Sequence, residues 1–477
     1  MAIEEVYKDG TRSSQLLSQE GEKLSWNKFI LDMKNRIISD YNGEEHKKYK
    51  SLWKHAYKTT AKNLKLDFGT ISHEDKWEVI EKELPSPYII QLSSSLSSKT
   101  SSNSNTSSLE YQKKLISTDY IKLKEIHSKI KNKWILSSGT DVEDTIYNVS
   151  KTFNYVHPAH SMILNPNDPT WFNHFSSEDL VEIKEHVDHS LNNDLPKELK
   201  DILSLLNQKT TFRAIYDAMD AVSADPVNNK EKYWFKNSII NYIMLFINGP
   251  TMVPFKSEED LLDDVYGFIK TSKQLSNTNT EKKTESTASS EEFNKDRLIG
   301  SISKINRKIA ANHADLVFKY LTHELGCVEI GLYNKGPTGT KELQEFEIKT
   351  PLMLKGFILH LAKDYKTMPN NFKVISFVIS GMYISAQVMT CNKGSVALVG
   401  TSQRYHMPES PAEVPKLLPP VLKLVYNCAL VIESTTSHLK AISSSVSLDE
   451  SSEAYFSPCF VAGDNKRTHA AAFSDYV

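Results

Sequence analysis

Apolar and polar positions follow one period in the first part of this chain and another in the second. The first period is helical. Trp26, Phe29, Ile30, Met33 and Ile37 share one face within residues 24–58, the spacing of an amphipathic helix. A longer helical block begins near EYQKKLISTDYIKLKEIHSKIKNKWIL (residues 110–136). Thr140, followed by Asp141 and Glu143, reads as a capping box ahead of VEDTIYNVSKTF, because a short polar side chain can take up the free amides of the first turn. Ser176 is placed to cap FSSEDLVEIKEHVDHSL, and KEKYWFKNSIINYIMLFI supplies a strongly apolar helix. The aromatic residues of this block are expected in a core rather than at a ligand site.

The second pattern begins after RLIGSISKINRKIA, an amphipathic helix with Leu298, Ile302, Ile305 and Ile309 on one face. Short β-branched and aromatic runs follow, predicting strands at about 315–320 and 325–330. A loop rich in Gly and Lys leads to a helix after Pro351, where proline suits the first turn. KVISFVIS, MYISAQVM and SVALVG predict three more strands, and EVPKLLPPVLKLVYNCALVIE a closing helix that Pro419 and Pro420 should kink or delay. The order α-β-β-α-β-β-β-α predicts a mixed sheet with helices on its faces. The fold class expected is α+β: helical N-terminal and middle regions, then a mixed-sheet α/β domain.

Polar stretches set the expected boundaries. SSSLSSKTSSNSNTSS (93–108), TSKQLSNTNTEKKTESTASSEE (271–292) and the tail beyond about residue 441 are poor in apolar side chains. Such segments bury too little surface to offset backbone ordering. The division is an N-terminal helical region (1–91), a Ser-rich linker (92–108), a helical domain (109–270) and a disordered linker (271–293). An α/β domain (294–435) and a disordered tail (436–477) complete it.

Bulk properties narrow the function. The 477 residues are 39% hydrophobic and 24% charged, with net charge -2 and mean hydropathy -0.41, the balance of a soluble globular protein. Global attraction to nucleic acid is therefore absent, and any such contact needs a local basic patch. Cys327, Cys391, Cys428 and Cys459 form no CxxC pair, which argues against a disulfide scaffold or zinc ribbon and for a reducing compartment. MAIEEVYKDG lacks the features of a signal peptide, and no run approaches the roughly 20 apolar residues of a membrane helix. The expectation is a cytoplasmic or nuclear protein without a membrane.

The candidate chemistry lies in ADLVFKYLTHELGCVEIG (314–331), where Asp315 opens one predicted strand and Glu329 lies near the end of the next. Two carboxylates on paired strands offer hard oxygen ligands to a divalent cation such as Mg²⁺, which polarises a phosphate and acidifies a water. The helix, hairpin, helix and strand order resembles the PD-(D/E)XK nuclease superfamily, whose domain is of restriction-endonuclease-like type. That resemblance implies Asp315 and Glu329 as catalytic metal ligands and a lysine two positions after the second acid. Position 331 is glycine, and Glu324-Leu325-Gly326 fails the same test. Lys335, Lys341 and Lys349 are possible replacements from NKGPTGTKELQEFEIK, and Lys341 is favoured as the catalytic lysine.

A closer resemblance, over about 110–433, is to a group of long proteins abundant in Mucor-type early-diverging fungi. It is carried by KWILSSGTDVEDTIYNVSK, HPAHSMILNPND, GTKELQEFEIKTPLMLKG, SFVISGMYISAQVM and LLPPVLKLVYNCALVIE, beside residues 314–331. The resemblance implies an acid after a basic helix, then E-x-G, T-K and K-x-P, here Asp315, Glu329, Lys341 and Lys349. It implies no activity of its own. The readings are a metal-dependent nuclease, a catalytically degenerate nucleic-acid binder, or a non-enzymatic scaffold that docks a protein through its helical domain.

Weaker candidates stand beside these. His157 with His160, and His186 with His189, are each three apart but lack a third zinc ligand at fixed spacing. NKGPTGTKE lacks phosphate-loop spacing. Arg297, Lys304 and Lys308 align on one helix face, where a solvated face is the ordinary reading. Cys327 has no nominated base.

Overall fold

A computed structural model describes Lys50, Lys54, Trp77 and residues 114–249, 255, 257–294, 311–334, 340–444 and 456–462. The chain divides into two compact units, Met1–Asn105 and Thr106–Val477. The helix expected within 24–58, the linker at 92–108, the helix at 297–310 and Lys335 lie outside the described residues, apart from Lys50 and Lys54. All described residues except Lys50, Lys54 and Trp77 belong to the second unit.

Among the described residues, the longer helices of this unit are α1 (Ser117–Ser128), α2 (Val142–Ser150), α3 (Ser177–Glu185), α4 (Lys197–Ser204), α5 (Phe212–Asp220) and α6 (Lys230–Ile243). Then come α7 (Thr287–Asn294), α8 (Thr350–Asp364) and α9 (Val414–Ser444). The strands are β1 (Ile163–Leu164), β2 (Asn279–Glu285), β3 (His313–Tyr320), β4 (His323–Gly331), β5 (Val374–Ser380), β6 (Tyr383–Lys393), β7 (Val396–Thr401) and β8 (Tyr405–His406). They form one mixed sheet in the order β1-β7-β6-β5-β4-β3-β2, with β8 on β6. β4 and β5 run parallel, so the chain must cross between them through α8. β5 is buried at all seven positions, which requires a layer on each sheet face. α8 lies on β4 and β5, and α9 on β5 and β6.

The expected mixed α/β class and its strands are present, with three differences. The segment 271–293, expected to be disordered, carries β2, paired antiparallel with β3. Its polar residues are tolerated because β2 is an edge strand, where alternate side chains stay exposed. The later part of the expected helical domain shares one core with the sheet, joining Trp234, Phe235, Tyr242 and Tyr266 to Phe318, Phe357 and Leu422, and its earlier part packs Trp134, Ile146 and Trp171 in a smaller cluster with Val396 and Leu398 of β7. The expected tail at 436–477 is helical up to Ser444, and Phe460 is buried further on.

Prolines explain two local departures. α9 begins at Val414 and runs past Pro419 and Pro420. Burial of Leu418, Val421 and Leu422 offsets the backbone bonds those prolines remove. The helical stretch Pro411–Ser443, α9 with the 3-10 turn before it, is long and apolar enough to cross a membrane by length and composition, which corrects the reading that no run approaches that length; 61% of its most apolar part is buried. Helix also starts before Pro351, at Thr340, with a π turn over Gln344–Lys349.

Caps and pins tie the layers together. Ser176 caps α3, with Asp179 completing the box. The cap of α2 is Asp141, not Thr140. Glu143 turns inward, accepting the Trp134 amide at 2.8 Å and the Ser395 amide at 2.7 Å. It thereby fastens the helical region to the β6–β7 turn. The aromatic residues expected in the core include Tyr266, whose hydroxyl donates to the Gly381 carbonyl at 2.9 Å.

Gly394 in that turn has φ +52, and a Cβ there would meet Glu143 Oε1 at 2.1 Å. Gly394→Ala combines left-handed strain with this clash and should cost about 2 kcal/mol or more. Urea unfolding measures the loss, and an unchanged midpoint would refute the pin.

Candidate active site

The site is assembled from the β3–β4 hairpin outward. Leu316 pairs with Val328, so continuing that antiparallel register by one residue sets Asp315 opposite Glu329. Directly opposed residues project from the same sheet face. Asp315 Oδ2 accepts the Ile330 amide at 2.8 Å, holding its carboxylate across the end of β4. Glu329 faces Val378 on β5 in the parallel register, which puts it inside the sheet rather than on its rim. It is 2% exposed.

A carboxylate that deep needs a cation or a proton. The cation is Lys349, whose Nζ lies 2.5 Å from Glu329 Oε2. Lysine is expected at 331, but Gly331 occupies the end of β4 and its carbonyl accepts the Gly381 amide at 2.8 Å. The ammonium therefore arrives from a different element. Lys341, the favoured replacement, falls in the short helix Thr340–Leu343, and its side chain lies outside the described residues. The structure brings Asp315, Glu329 and Lys349 together.

Lys349 is the last residue of a widened stretch of helix, the π turn Gln344–Lys349. The Thr350 amide bonds the Glu345 carbonyl, five residues back, as in a π turn. The next donor in that pattern belongs to Pro351, which has no N–H. Gln387 on β6 supplies the missing donor, its Nε2 lying 2.8 Å from the Phe346 carbonyl. Its Oε1 lies 2.7 Å from Thr350 Oγ1 and 3.1 Å from Ser376 Oγ. Gln387 is 1% exposed, so each bond forms out of water.

Negative charge exceeds positive charge around the pair. Burial pushes the Glu329 carboxyl up to about 8; the charges of Asp315 and Glu345 add to this, and Lys349 pulls the other way. Burial disfavours the Lys349 ammonium, yet Glu329, Glu345 and Asp315 together hold its proton affinity above the ordinary lysine range. Burial thus favours a proton on Glu329, with the neighbouring carboxylates adding to it, whereas carboxylates alone hold the proton on Lys349 against burial. Glu329 Oε1 is buried without a hydrogen-bond partner. That spare oxygen, with Asp315 nearby, fits a divalent cation, since hard oxygen donors and surplus negative charge are what Mg²⁺ requires. Among the described residues, no group of three or more His, Cys, Asp or Glu side chains forms a metal cage. A cation here would complete its shell with water or substrate oxygens.

The other candidates occupy structural positions. Glu324 accepts from Ser286 Oγ and from the Thr287 and Ala288 amides at 2.9–3.0 Å, capping the start of α7. His160 is buried, with Nδ1 accepting the His157 amide at 2.9 Å and Nε2 3.0 Å from the Ser150 carbonyl. His186 meets the edge of the Trp134 ring, and His189 Nε2 lies 3.2 Å from the Lys184 carbonyl. Burial pushes the Cys327 thiol far above its usual range, so it is not a ready nucleophile. Residues 335–339 of NKGPTGTKE lie outside the described residues. On either side of that gap, Arg404 binds Asn334 Oδ1 at 2.8 Å and Glu342 through two nitrogens at 2.8 and 3.0 Å. Arg297, Lys304 and Lys308 also lie outside the described residues.

Sequence reasoning placed Lys341 ahead of Lys349 and overlooked Gln387. The available signal was an amide residue inside the otherwise uncharged, β-branched run that forms β6, because a buried amide needs partners. Comparison of the chain with protein-family models, curated proteins and solved structures yields no match.

Because Glu329 binds its proton more tightly in the fold than in the unfolded chain, its contribution to stability is greatest below pH 4.5. That contribution declines as pH rises through about 8. Denaturant midpoints recorded from pH 5 to 9 should fall more steeply for the native chain than for Glu329→Gln. Parallel profiles would mean that Glu329 does not titrate in this interval.

Proposed function

We propose that this chain is a metal-dependent phosphodiesterase of the PD-(D/E)XK nuclease-like type. Its metal ligands are Asp315 and Glu329, and its catalytic lysine is Lys349 rather than Lys341. The observation that carries this reading is the 2.5 Å contact of Lys349 with Glu329 at the strand position where Asp315 stands opposite. The β3–β4 hairpin, α8 and β5 follow the hairpin, helix and strand part of the order that the resemblance implies; the helix expected ahead of them at 297–310 lies outside the described residues.

Bound Mg²⁺ would supply Lewis-acid polarisation of a phosphate and a more acidic water. The chain's own residues do the rest. Asp315 and Glu329 hold the cation through oxygens, Asp315 with one oxygen engaged by the Ile330 amide. Lys349 steadies Glu329 Oε2 and carries the positive charge that offsets charge developing on phosphate oxygens. Nucleic acid is the partner this chemistry implies, and a cytoplasmic or nuclear site of action accompanies the proposal. With net charge -2, its grip must come from a local basic surface.

A second reading has its own observation: Glu329 is 2% and Lys349 8% exposed. A pair that closed suits a degenerate site in a protein that binds nucleic acid, or another protein, without cutting.

Purified chain with Mg²⁺ or Mn²⁺ should nick plasmid, single-stranded DNA or RNA. Asp315→Ala and Lys349→Met should reduce the rate by roughly 100-fold or more. Undiminished cleavage by both folded variants removes the site assignment. If the native chain does not cleave, an Asp315-dependent rise in melting temperature with Mn²⁺ supports the degenerate site. Absence of both effects supports the scaffold reading.

A further inference from the structure

The π turn at Gln344–Lys349 is the feature that decides which way Lys349 points. Successive residues of an α-helix are rotated by about 100°, so gaining or losing one residue in a turn redirects every side chain beyond it. Such widened turns persist only where their displaced carbonyls find other donors. Here the Phe346 carbonyl lacks its regular donor because Pro351 has no N–H. Its nearer donor comes from two strands away from Glu329, Gln387 Nε2 at 2.8 Å, with Thr350 Oγ1 farther off at 3.3 Å.

The row across the sheet explains why that amide is in reach. Cys327 on β4 pairs with Ser376 on β5, and Ser376 with Gln387 on β6. In a strand, residues two apart share a face, so Glu329 and Cys327 project on the same side as Ser376 and Gln387. Gln387 therefore binds the helix on the side from which Lys349 approaches Glu329. Its Oε1 is held by Thr350 Oγ1 at 2.7 Å and Ser376 Oγ at 3.1 Å, leaving Nε2 to serve the carbonyl.

We propose that Gln387, together with Pro351, is a positioning residue that holds the helix in π register and thereby delivers Lys349 to Glu329. Gln387 does not touch the reacting atoms; it acts through the helix backbone. Pro351 prevents the bond to the Glu347 carbonyl that an α register would make, and Gln387 satisfies the carbonyl that the π register leaves open. This inference rests on the same site as the proposed phosphodiesterase, but it concerns the placement of Lys349 and can be read without any cleavage.

The test uses full-length chain labelled with ¹⁵N-lysine. A lysine ammonium held in a buried ion pair exchanges slowly and gives its own ¹H–¹⁵N cross-peak, assigned here by its disappearance in Lys349→Met. Gln387→Leu and Pro351→Ala should each lose or shift that peak while the remaining lysine signals persist. Acylation of Lys349 by an amine-reactive reagent, followed by mass spectrometry, should rise roughly ten-fold as the side chain becomes exposed. Thr350→Val, which spares the Nε2 bond and removes only the hydroxyl's contacts with the Glu345 and Phe346 carbonyls and Gln387 Oε1, should have a smaller effect on both. A folded Gln387→Leu chain with an unmoved Lys349 peak and native acylation overturns the proposal. If Gln387→Leu fails to fold, Pro351→Ala decides alone. Should the Lys349 changes appear in a chain that cuts no nucleic acid, the positioning role stands and the phosphodiesterase reading fails.

Discussion

The arrangement depends on one buried ion pair. Glu329 sits within the sheet, where an unpaired carboxylate is untenable, and Lys349 answers it at 2.5 Å. The requirement runs backward through the chain. Lys349 arrives from the widened turn Gln344–Lys349 just ahead of α8, and Gln387 bonds a carbonyl of that turn. A local electrostatic demand on β4 thus constrains a helix register and a side chain on β6.

The same logic governs the other buried carboxylates. Glu143 accepts two amides and binds the helical region to the β6–β7 turn. Glu324 caps α7. Each has a full set of donors. Glu329 differs because one oxygen is left without a partner, and because Asp315 and Glu345 add negative charge around it. An unfilled acceptor beside surplus charge is a poor device for stability alone. That distinguishes a candidate ligand site from two structural acids with similar burial.

The edge of the sheet shows how far polarity can mislead. Asn279–Glu285 has little to bury and reads as disorder, yet β2 pairs along β3 with its lysines held by Glu259 and Asp263. An edge strand obtains half its backbone bonds from one neighbour and needs few apolar side chains. Local composition carries no information about that neighbour.

Periodicity by itself determined the strands β3 to β7, the Ser176 cap and the mixed α/β class, because those follow from short-range alternation and turn chemistry. It also singled out Asp315 and Glu329, since their spacing along a hairpin is a local property. The pairing of Lys349 with Glu329 was decided only by tertiary structure. Lys349 meets Glu329 across 20 residues of chain, in a stretch of helix whose Phe346 carbonyl is bonded by Gln387 from β6. Tertiary structure likewise turned Glu143 from an expected capping residue into a tie between layers, because its partners, Trp134 and Ser395, lie 9 and 252 residues away. Alternation within a strand or helix is written in neighbouring residues, whereas the partner of a buried charge is selected by whatever the completed fold carries past it.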